Sequence, residues 1–167
     1  MLRSAPPANS TVAFAAVELP KAPADAVAAG SCLLLVLLTT VMHFEVLSLL
    51  NRLLPRMAMA GRARLVVAVV CLVLAHALEA AVYALAYLVL VRQPLLGALG
   101  HAGAPSLGTA VYFSVETFSS LGYGDIVPSG ALRLLAGTEA LNGLLLIGWS
   151  ASYAHIAMER FWNGGED

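Results

Sequence analysis

Three apolar runs, each long enough to cross a lipid bilayer as a helix, limit what this chain can fold into. They cover residues 26–50, 65–91 and 131–158, and about 20 helical residues are enough to cross the hydrocarbon core. Only 11% of the residues are charged, while 60% are hydrophobic, a composition that is rare among soluble domains. The pattern predicts an all-α membrane protein with three transmembrane helices, in contact with membrane lipid.

The composition also narrows the classes of function. A net charge of -1 argues against nucleic-acid binding. Cys32 and Cys71 each lie inside an apolar run without a metal-type partner spacing, so we interpret both as small buried apolar residues. The chain carries no recognisable catalytic constellation or nucleotide-binding loop. We therefore expect no enzymatic activity, no small-molecule substrate and no organic cofactor.

The placement of arginine predicts the orientation of the helices. The connection over residues 51–64 contains four arginines and no acidic residue, namely Arg52, Arg56, Arg62 and Arg64. Such a loop is typically cytoplasmic, which places the N-terminus outside and the C-terminus inside. Residues 1–25, rich in Ala and Pro and unlike a signal peptide, are expected to form an external tail. Residues 159–167 are expected to form a cytoplasmic tail too short for a ligand-binding domain.

A fourth apolar segment, residues 107–120, is too short to span the membrane and lies between the second and third runs. It predicts a short re-entrant helix, which is tolerated at membrane depth when it is buried in protein or lines a cavity. Gly122 and Gly124 follow it and flank Tyr123. Glycines in alternation permit left-handed and right-handed backbone in turn, so that successive carbonyls point the same way and replace a cation's hydration shell. The plainer alternative is a glycine-rich turn between two helices.

The string from Phe113 to Asp125, Phe-Ser-Val-Glu-Thr-Phe-Ser-Ser-Leu-Gly-Tyr-Gly-Asp, resembles the pore domain of tetrameric potassium channels, especially small bacterial two-helix channels. The resemblance covers about residues 62–158, and we assign the pore domain to residues 65–158. It implies a homotetramer in a bacterial inner membrane that conducts K⁺ passively. The filter it implies consists of Ser120, Leu121, Gly122, Tyr123 and Gly124, with K⁺ bound at Ser120, Leu121, Gly122 and Tyr123.

The first two filter residues depart from the family. The usual pattern is Thr-Val-Gly-Tyr-Gly, whereas this chain has Ser120 and Leu121 in the first two places. Serine keeps the hydroxyl but loses the methyl group, and leucine is larger and less stiff at χ1 than valine. The degree of selectivity for K⁺ over Na⁺ therefore stays open.

Four residues around the filter are implied by the resemblance as its support. Glu116 and Asp125 match a carboxyl pair that shares a proton behind the filter, since two close carboxylates do not both ionise cheaply. The alternative is that Glu116 bonds local backbone while Asp125 faces water. Tyr112 and Phe113 match a pair of aromatic residues that form a cuff around the filter, although ordinary packing of the short helix predicts similar contacts.

The third run carries the residues that the resemblance assigns to gating. Gly143 and Gly148 are interpreted as hinge positions, because glycine weakens a helix; close helix packing is the alternative. A face with spacings of three and four residues is expected to line the cavity and inner gate, namely Leu144, Ile147, Ala151 and His155. Four protonated copies of His155 would repel one another and favour opening; an interfacial histidine is the plainer alternative.

Polar residues within the runs have no place in the conduction path. We predict a buried network behind the filter formed by His76, Glu79, Glu139 and Asn142, because ionisable groups inside spans are costly. A static network that only fixes packing is the alternative. His43 and Glu45 lie on opposite sides of the first run, whose orientation the sequence leaves open. That run lacks the spaced arginines of a voltage sensor, and we expect it to pack outside the second.

Three alternative functions fit parts of the same pattern. A weakly selective monovalent cation channel would share the fold. A non-conducting accessory subunit would pair with another channel. A subunit of a potassium uptake system is disfavoured, because those proteins carry several such loops in one long chain and this chain has one.

Overall fold

Four α-helices carry the fold in the computed structural model, which describes residues 22–100 and 105–162. Helix α1 spans Ala22–Leu53, α2 spans Gly61–Leu90, α3 spans Leu107–Phe118 and α4 spans Leu132–Trp162. α1, α2 and α4 are long and apolar enough to cross a membrane. α3 has 12 residues, about 18 Å at 1.5 Å per residue, and is too short to do so. The predicted all-α membrane fold is confirmed.

The ends of the spans differ slightly from the predicted boundaries. α1 begins at Ala22, inside the segment predicted to be a tail, and α4 continues to Trp162, beyond the predicted boundary at Met158. The rest of the two predicted tails, residues 1–21 and 163–167, lies outside the described residues. After α1 the chain forms a short 3-10 helix, Leu54–Arg56. Pro55 lacks a backbone N–H, which disfavours continuation of the α-helix.

Helix α1 packs against α2, as the sequence suggested, and also against α4. Thr39 Oγ1 accepts a hydrogen bond from Asn142 Nδ2 at 2.7 Å, and Arg160 Nη1 lies 3.4 Å from Asn51 Oδ1. The order of these contacts shows that α1 and α4 run parallel. The contact with α4 was not predicted, because hydropathy marks a span without showing which of its neighbours it contacts.

The short helix α3 is wedged between α2 and α4. Its first turn is capped by Ser106, whose Oγ accepts a hydrogen bond from the Thr109 N–H at 3.1 Å, the usual role of serine at this position. Phe113 is buried and meets Tyr87 of α2 edge to face, with ring centroids 5.1 Å apart. This is a favoured arrangement of two aromatic rings, and it orients α3 against the longer helix.

The segment after residue 125 is tied by backbone hydrogen bonds to the connection between α2 and α3. The N–H of Gly100 donates to the Val127 carbonyl at 3.1 Å, and the N–H of Ser129 donates to the Ala98 carbonyl at 2.9 Å. The N–H of Leu132 then bonds the Leu96 carbonyl at 3.1 Å as α4 begins. The glycine-rich segment is thereby held at its C-terminal end as well as by α3.

Gly143 lies where the carbonyl end of α3 meets α4. A Cβ atom at this position would lie 2.0 Å from the Phe118 carbonyl oxygen and 2.8 Å from its carbon. The two backbones therefore approach so closely that only glycine fits at position 143. A Cβ at Gly148 would meet nothing within 4 Å in the chain. Close packing accounts for Gly143, and the hinge role of both glycines stays a prediction, because α4 is continuous through them.

We expect Gly143→Ala to destabilise the protein by about 2 kcal/mol or more, because the new methyl group must push α3 away from α4. Gly148→Ala is the matched control and should be neutral or stabilising by up to about 1 kcal/mol through helix propensity. Reversible unfolding in detergent micelles measures both. Equal destabilisation by the two variants would contradict the close approach at Gly143.

Candidate functional site

The backbone that follows α3 alternates between left-handed and right-handed conformations. Ser120, Gly122 and Gly124 have φ values of 58°, 54° and 78°, whereas Leu121 and Tyr123 between them do not have positive φ. The sequence predicted this alternation from the two glycines. It gave no sign that Ser120 joins it, because a non-glycine residue rarely adopts this region. We call residues 120–124 the filter segment.

The filter segment starts from the last turn of α3. The Glu116 carbonyl accepts hydrogen bonds from the N–H groups of Leu121 at 2.8 Å and Gly122 at 3.2 Å, and the Ser120 N–H donates to the Thr117 carbonyl at 2.9 Å. The carbonyl end of a helix carries partial negative charge. The segment therefore leaves α3 at a point that favours a nearby cation.

Most of the filter segment is uncovered within the single chain. The side chains of Leu121 and Tyr123 are 58% and 68% exposed, and Ser120 is exposed as well. A tyrosine and a leucine in this state leave a large apolar area without a partner. The filter segment therefore lies at the surface of the single chain.

The two carboxyl groups predicted to pair do not bond each other. Glu116 is buried, and its Oε2 has no hydrogen-bond partner in the described chain. Asp125 instead accepts hydrogen bonds from the Tyr112 hydroxyl at 3.1 Å and from the Ile126 N–H at 3.1 Å. The shared proton therefore stays a prediction, and within the chain Asp125 is held by Tyr112 rather than by Glu116.

The two aromatic residues predicted to form a cuff point in different directions. Phe113 is buried against Tyr87, whereas Tyr112 is 41% exposed and reaches Asp125. Partial loss of solvent and the bond to Asp125 raise the pKa of Tyr112 to about 12. The Tyr112 hydroxyl donates to Asp125, the residue that follows the filter segment.

The predicted cavity face of α4 is exposed along its length in the single chain. Its members are Leu144, Ile147, Ala151 and His155. His155 Nε2 lies 3.6 Å from Glu159 Oε1, one turn further along α4, and both side chains are exposed. A neighbouring carboxylate reduces the repulsion expected between protonated copies of His155, a feature that the sequence reading did not include.

The predicted polar network is divided into separate groups. Glu139 is buried and accepts a hydrogen bond from the Tyr87 hydroxyl at 2.8 Å, and it is also bonded to Ser114 of α3. The Ser114 hydroxyl is in addition 2.6 Å from the Ala80 carbonyl. Glu139 therefore links α2, α3 and α4 at one point.

Asn142, one turn further along α4, belongs to a second group. Its Nδ2 donates to Thr39 Oγ1 at 2.7 Å and to the Tyr83 hydroxyl at 3.1 Å. His76 and Glu79 form a third group with His43 of α1. The prediction of one network was wrong in that the four residues belong to three groups. Residues at the same depth in the membrane are separated when they lie on helical faces that point in different directions.

Several partners in these groups were missed from the sequence. Thr39, Tyr83, Tyr87 and Ser114 all lie in apolar runs where they resemble ordinary packing residues. Their hydrogen bonds join positions 25 to 103 residues apart. The only available signal was the need of each buried acid or amide for a partner, which does not say which hydroxyl supplies it.

Comparison with known proteins finds one family. A family described as "Ion channel" matches residues 66–160, which include nearly all of α2, the whole of α3 and the filter segment, and most of α4. The match covers more than half of the chain and leaves out α1. No curated protein and no solved structure matches the chain significantly.

We expect Glu139→Leu to destabilise the folded chain by about 2 kcal/mol, because the buried Tyr87 hydroxyl loses its acceptor and Ser114 keeps only the Ala80 carbonyl as a partner. Glu139→Gln keeps a carbonyl oxygen and should cost clearly less. Unfolding in detergent micelles measures both, with Glu159→Leu as an exposed control on the same helix. A Leu variant as stable as the Gln variant would contradict the role of Glu139 as a shared acceptor.

Proposed function

The chain belongs to the ion channel family, and from this premise we propose that it conducts K⁺ passively across the membrane as a homotetramer. Each chain contributes one filter segment, and four of them surround the ion path. K⁺ is the permeant ion and takes the carbonyl oxygens of Ser120, Leu121, Gly122 and Tyr123 as ligands. The proposal includes no enzymatic step, no nucleic-acid partner, no small-molecule substrate and no organic cofactor.

The observation that carries this proposal is the alternation of positive φ at Ser120, Gly122 and Gly124. A backbone that alternates between left-handed and right-handed conformations turns successive carbonyl oxygens toward one side. A row of such oxygens replaces the water around a desolvated cation without any formal charge on the ion path. The start of this row at the carbonyl end of α3 adds favourable electrostatics for a cation.

The tetramer is supported by the surfaces that the single chain leaves uncovered. Leu121 and Tyr123 of the filter segment and Leu144 and Ile147 of α4 are all exposed. In a fourfold assembly the α4 faces meet around a cavity below the filter. The upper part of this face is apolar, which suits a gate that closes by dewetting.

The proposed orientation places the arginine-rich connection in the cytoplasm of a bacterial cell, with the protein in its inner membrane. Arg52 near the end of α1, Arg62 near the start of α2 and Arg160 near the end of α4 belong to helix ends at one side of the bundle. Clustered arginines favour the cytoplasmic side. The filter segment then opens to the outer side, and α1 begins there.

A second candidate function, a weakly selective monovalent cation channel, is favoured by one observation. Leu121 is not branched at Cβ, and its side chain is 58% exposed in the chain. The packing around the filter carbonyls therefore depends on contacts with neighbouring copies. Looser packing tolerates ions of different size. The third candidate, a non-conducting accessory subunit, predicts an assembly without flux.

Potassium flux into liposomes tests the proposal directly. Wild-type protein should conduct, and Gly122→Ala should lose at least about nine-tenths of the flux with its tetramer intact, because alanine disfavours φ near +54°. Gly30→Ala is the matched control, since a Cβ there meets nothing within 4 Å. Size-exclusion chromatography with light scattering reports the tetramer.

Each other outcome selects a different function. Equal flux in wild type and Gly122→Ala would refute the filter assignment. An intact wild-type assembly without flux would favour the accessory subunit. Bilayer recordings in mixed Na⁺ and K⁺ then separate the two channel candidates, because a reversal potential that follows only the K⁺ gradient supports potassium selectivity.

A further inference from the structure

Three ionisable side chains outside the proposed conduction path converge between α1 and α2. Glu79 Oε1 lies 2.9 Å from His43 Nδ1, and Glu79 Oε2 lies 3.0 Å from His76 Nδ1. His43 and Glu79 are buried, and the His76 side chain is 18% exposed. The two imidazole rings stack with centroids 5.2 Å apart. We call these residues the His–Glu–His cluster.

The cluster has the composition of a transition-metal site. Imidazole nitrogen and carboxylate oxygen are ligands for Zn²⁺ and its neighbours. One ligand atom from each residue can be chosen so that all lie within 4.8 Å of one another. Tetrahedral zinc with bonds of about 2.0–2.2 Å sets its ligand atoms about 3.3 Å apart, so small side-chain rotations suffice. We propose that His43, His76 and Glu79 bind a divalent transition-metal ion of the zinc class.

The surroundings of His43 fit this role. Its second nitrogen, Nε2, lies 3.3 Å from Ser150 Oγ of α4. When Nδ1 binds a metal, Nε2 carries the proton and needs an acceptor, which the Ser150 oxygen supplies. Metal-bound histidines commonly donate their other N–H in this way. Ser150 is a hydroxyl, so it also serves as a donor to Nε2 when the metal is absent.

The positions of the ligands on the helices also suit a metal. His76 and Glu79 are three residues apart on α2 and therefore share a face, and His43 approaches that face from α1. An ionised carboxylate in an apolar setting is costly without a positive partner, and a divalent ion supplies more positive charge than a hydrogen bond does. The described chain supplies three ligand atoms here, which leaves one position of a tetrahedral ion open.

Occupancy of the cluster would join α1 to the pore-forming part of the chain. The His76 ring lies against Phe118, with centroids 5.8 Å apart, and Phe118 is the last residue of α3 before the filter segment. His43 also contacts Trp149 of α4 at 5.5 Å. A metal ion at this point therefore fixes the added helix beside the inner end of the filter segment. The binding proposal itself does not depend on conduction.

Equilibrium zinc binding tests the proposal on full-length, tag-free protein in detergent. After equilibration with micromolar Zn²⁺ and removal of free ion, wild type should retain about one zinc per chain by elemental analysis. His76→Gln and Glu79→Gln should each weaken binding at least tenfold. His155→Gln, which removes an exposed histidine on α4, is the matched control and should bind like wild type.

Two measurements on folded wild-type protein keep the test decisive if a cluster variant fails to fold. Zn²⁺ should raise its melting temperature, as any ligand of the native state does, and bound Co²⁺ should give the intense visible bands of tetrahedral coordination. Less than one-tenth of a zinc per chain in wild type would overturn the proposal. So would binding that persists in folded His76→Gln and Glu79→Gln, or that disappears in His155→Gln.

Discussion

The approach of the Phe118 carbonyl to Gly143 is the contact on which the candidate pore depends. In a bilayer, non-helical backbone survives only where protein or a water-filled cavity surrounds it. The filter segment is such backbone, and it begins two residues after Phe118. Since a Cβ at Gly143 would lie 2.0 Å from the Phe118 oxygen, α4 forms a wall against which the end of α3 is pressed. The starting point of the filter segment is set by this wall.

Polar contacts hold the rest of α3 in the same place. Glu139, on α4 one turn before Gly143, joins Ser114 of α3 and Tyr87 of α2. The Glu116 carbonyl oxygen also accepts hydrogen bonds from the N–H groups of Leu121 and Gly122 in the filter segment. Fixation of α3 at a steric contact and at a hydrogen-bonded acid leaves little freedom for rotation about its axis. A site whose ligands are backbone carbonyls needs such a fixed backbone, because a change of side-chain rotamer cannot restore the position of a carbonyl oxygen.

The sequence was sufficient for the fold and for the backbone alternation at Gly122 and Gly124, and insufficient for Ser120 and for the side chains around it. Apolar runs predict spans because the bilayer thickness fixes their length, and alternating glycines predict alternating backbone because the effect is local. The partners of Glu79 and Asn142 on α1 were beyond reach. His43 and Thr39 lie on α1, and nothing in hydropathy indicates which face of one helix meets which face of another. The proposed pairing of Glu116 with Asp125 stays a prediction for the same reason, since it requires the direction of two side chains as well as their spacing.

Helix α1, which the family match does not include, shows how a helix can be added to such a pore. Lipid tails are as apolar as leucine, so the hydrophobic effect does not drive helices together inside a membrane. The contacts that select a position for α1 must therefore be polar or closely packed. Thr39 and His43, one turn apart on the buried face of α1, reach Asn142 and Ser150 on α4 in the same order along both helices. A shift of α1 by one turn would break both bonds at once, so these two residues determine its register against the pore.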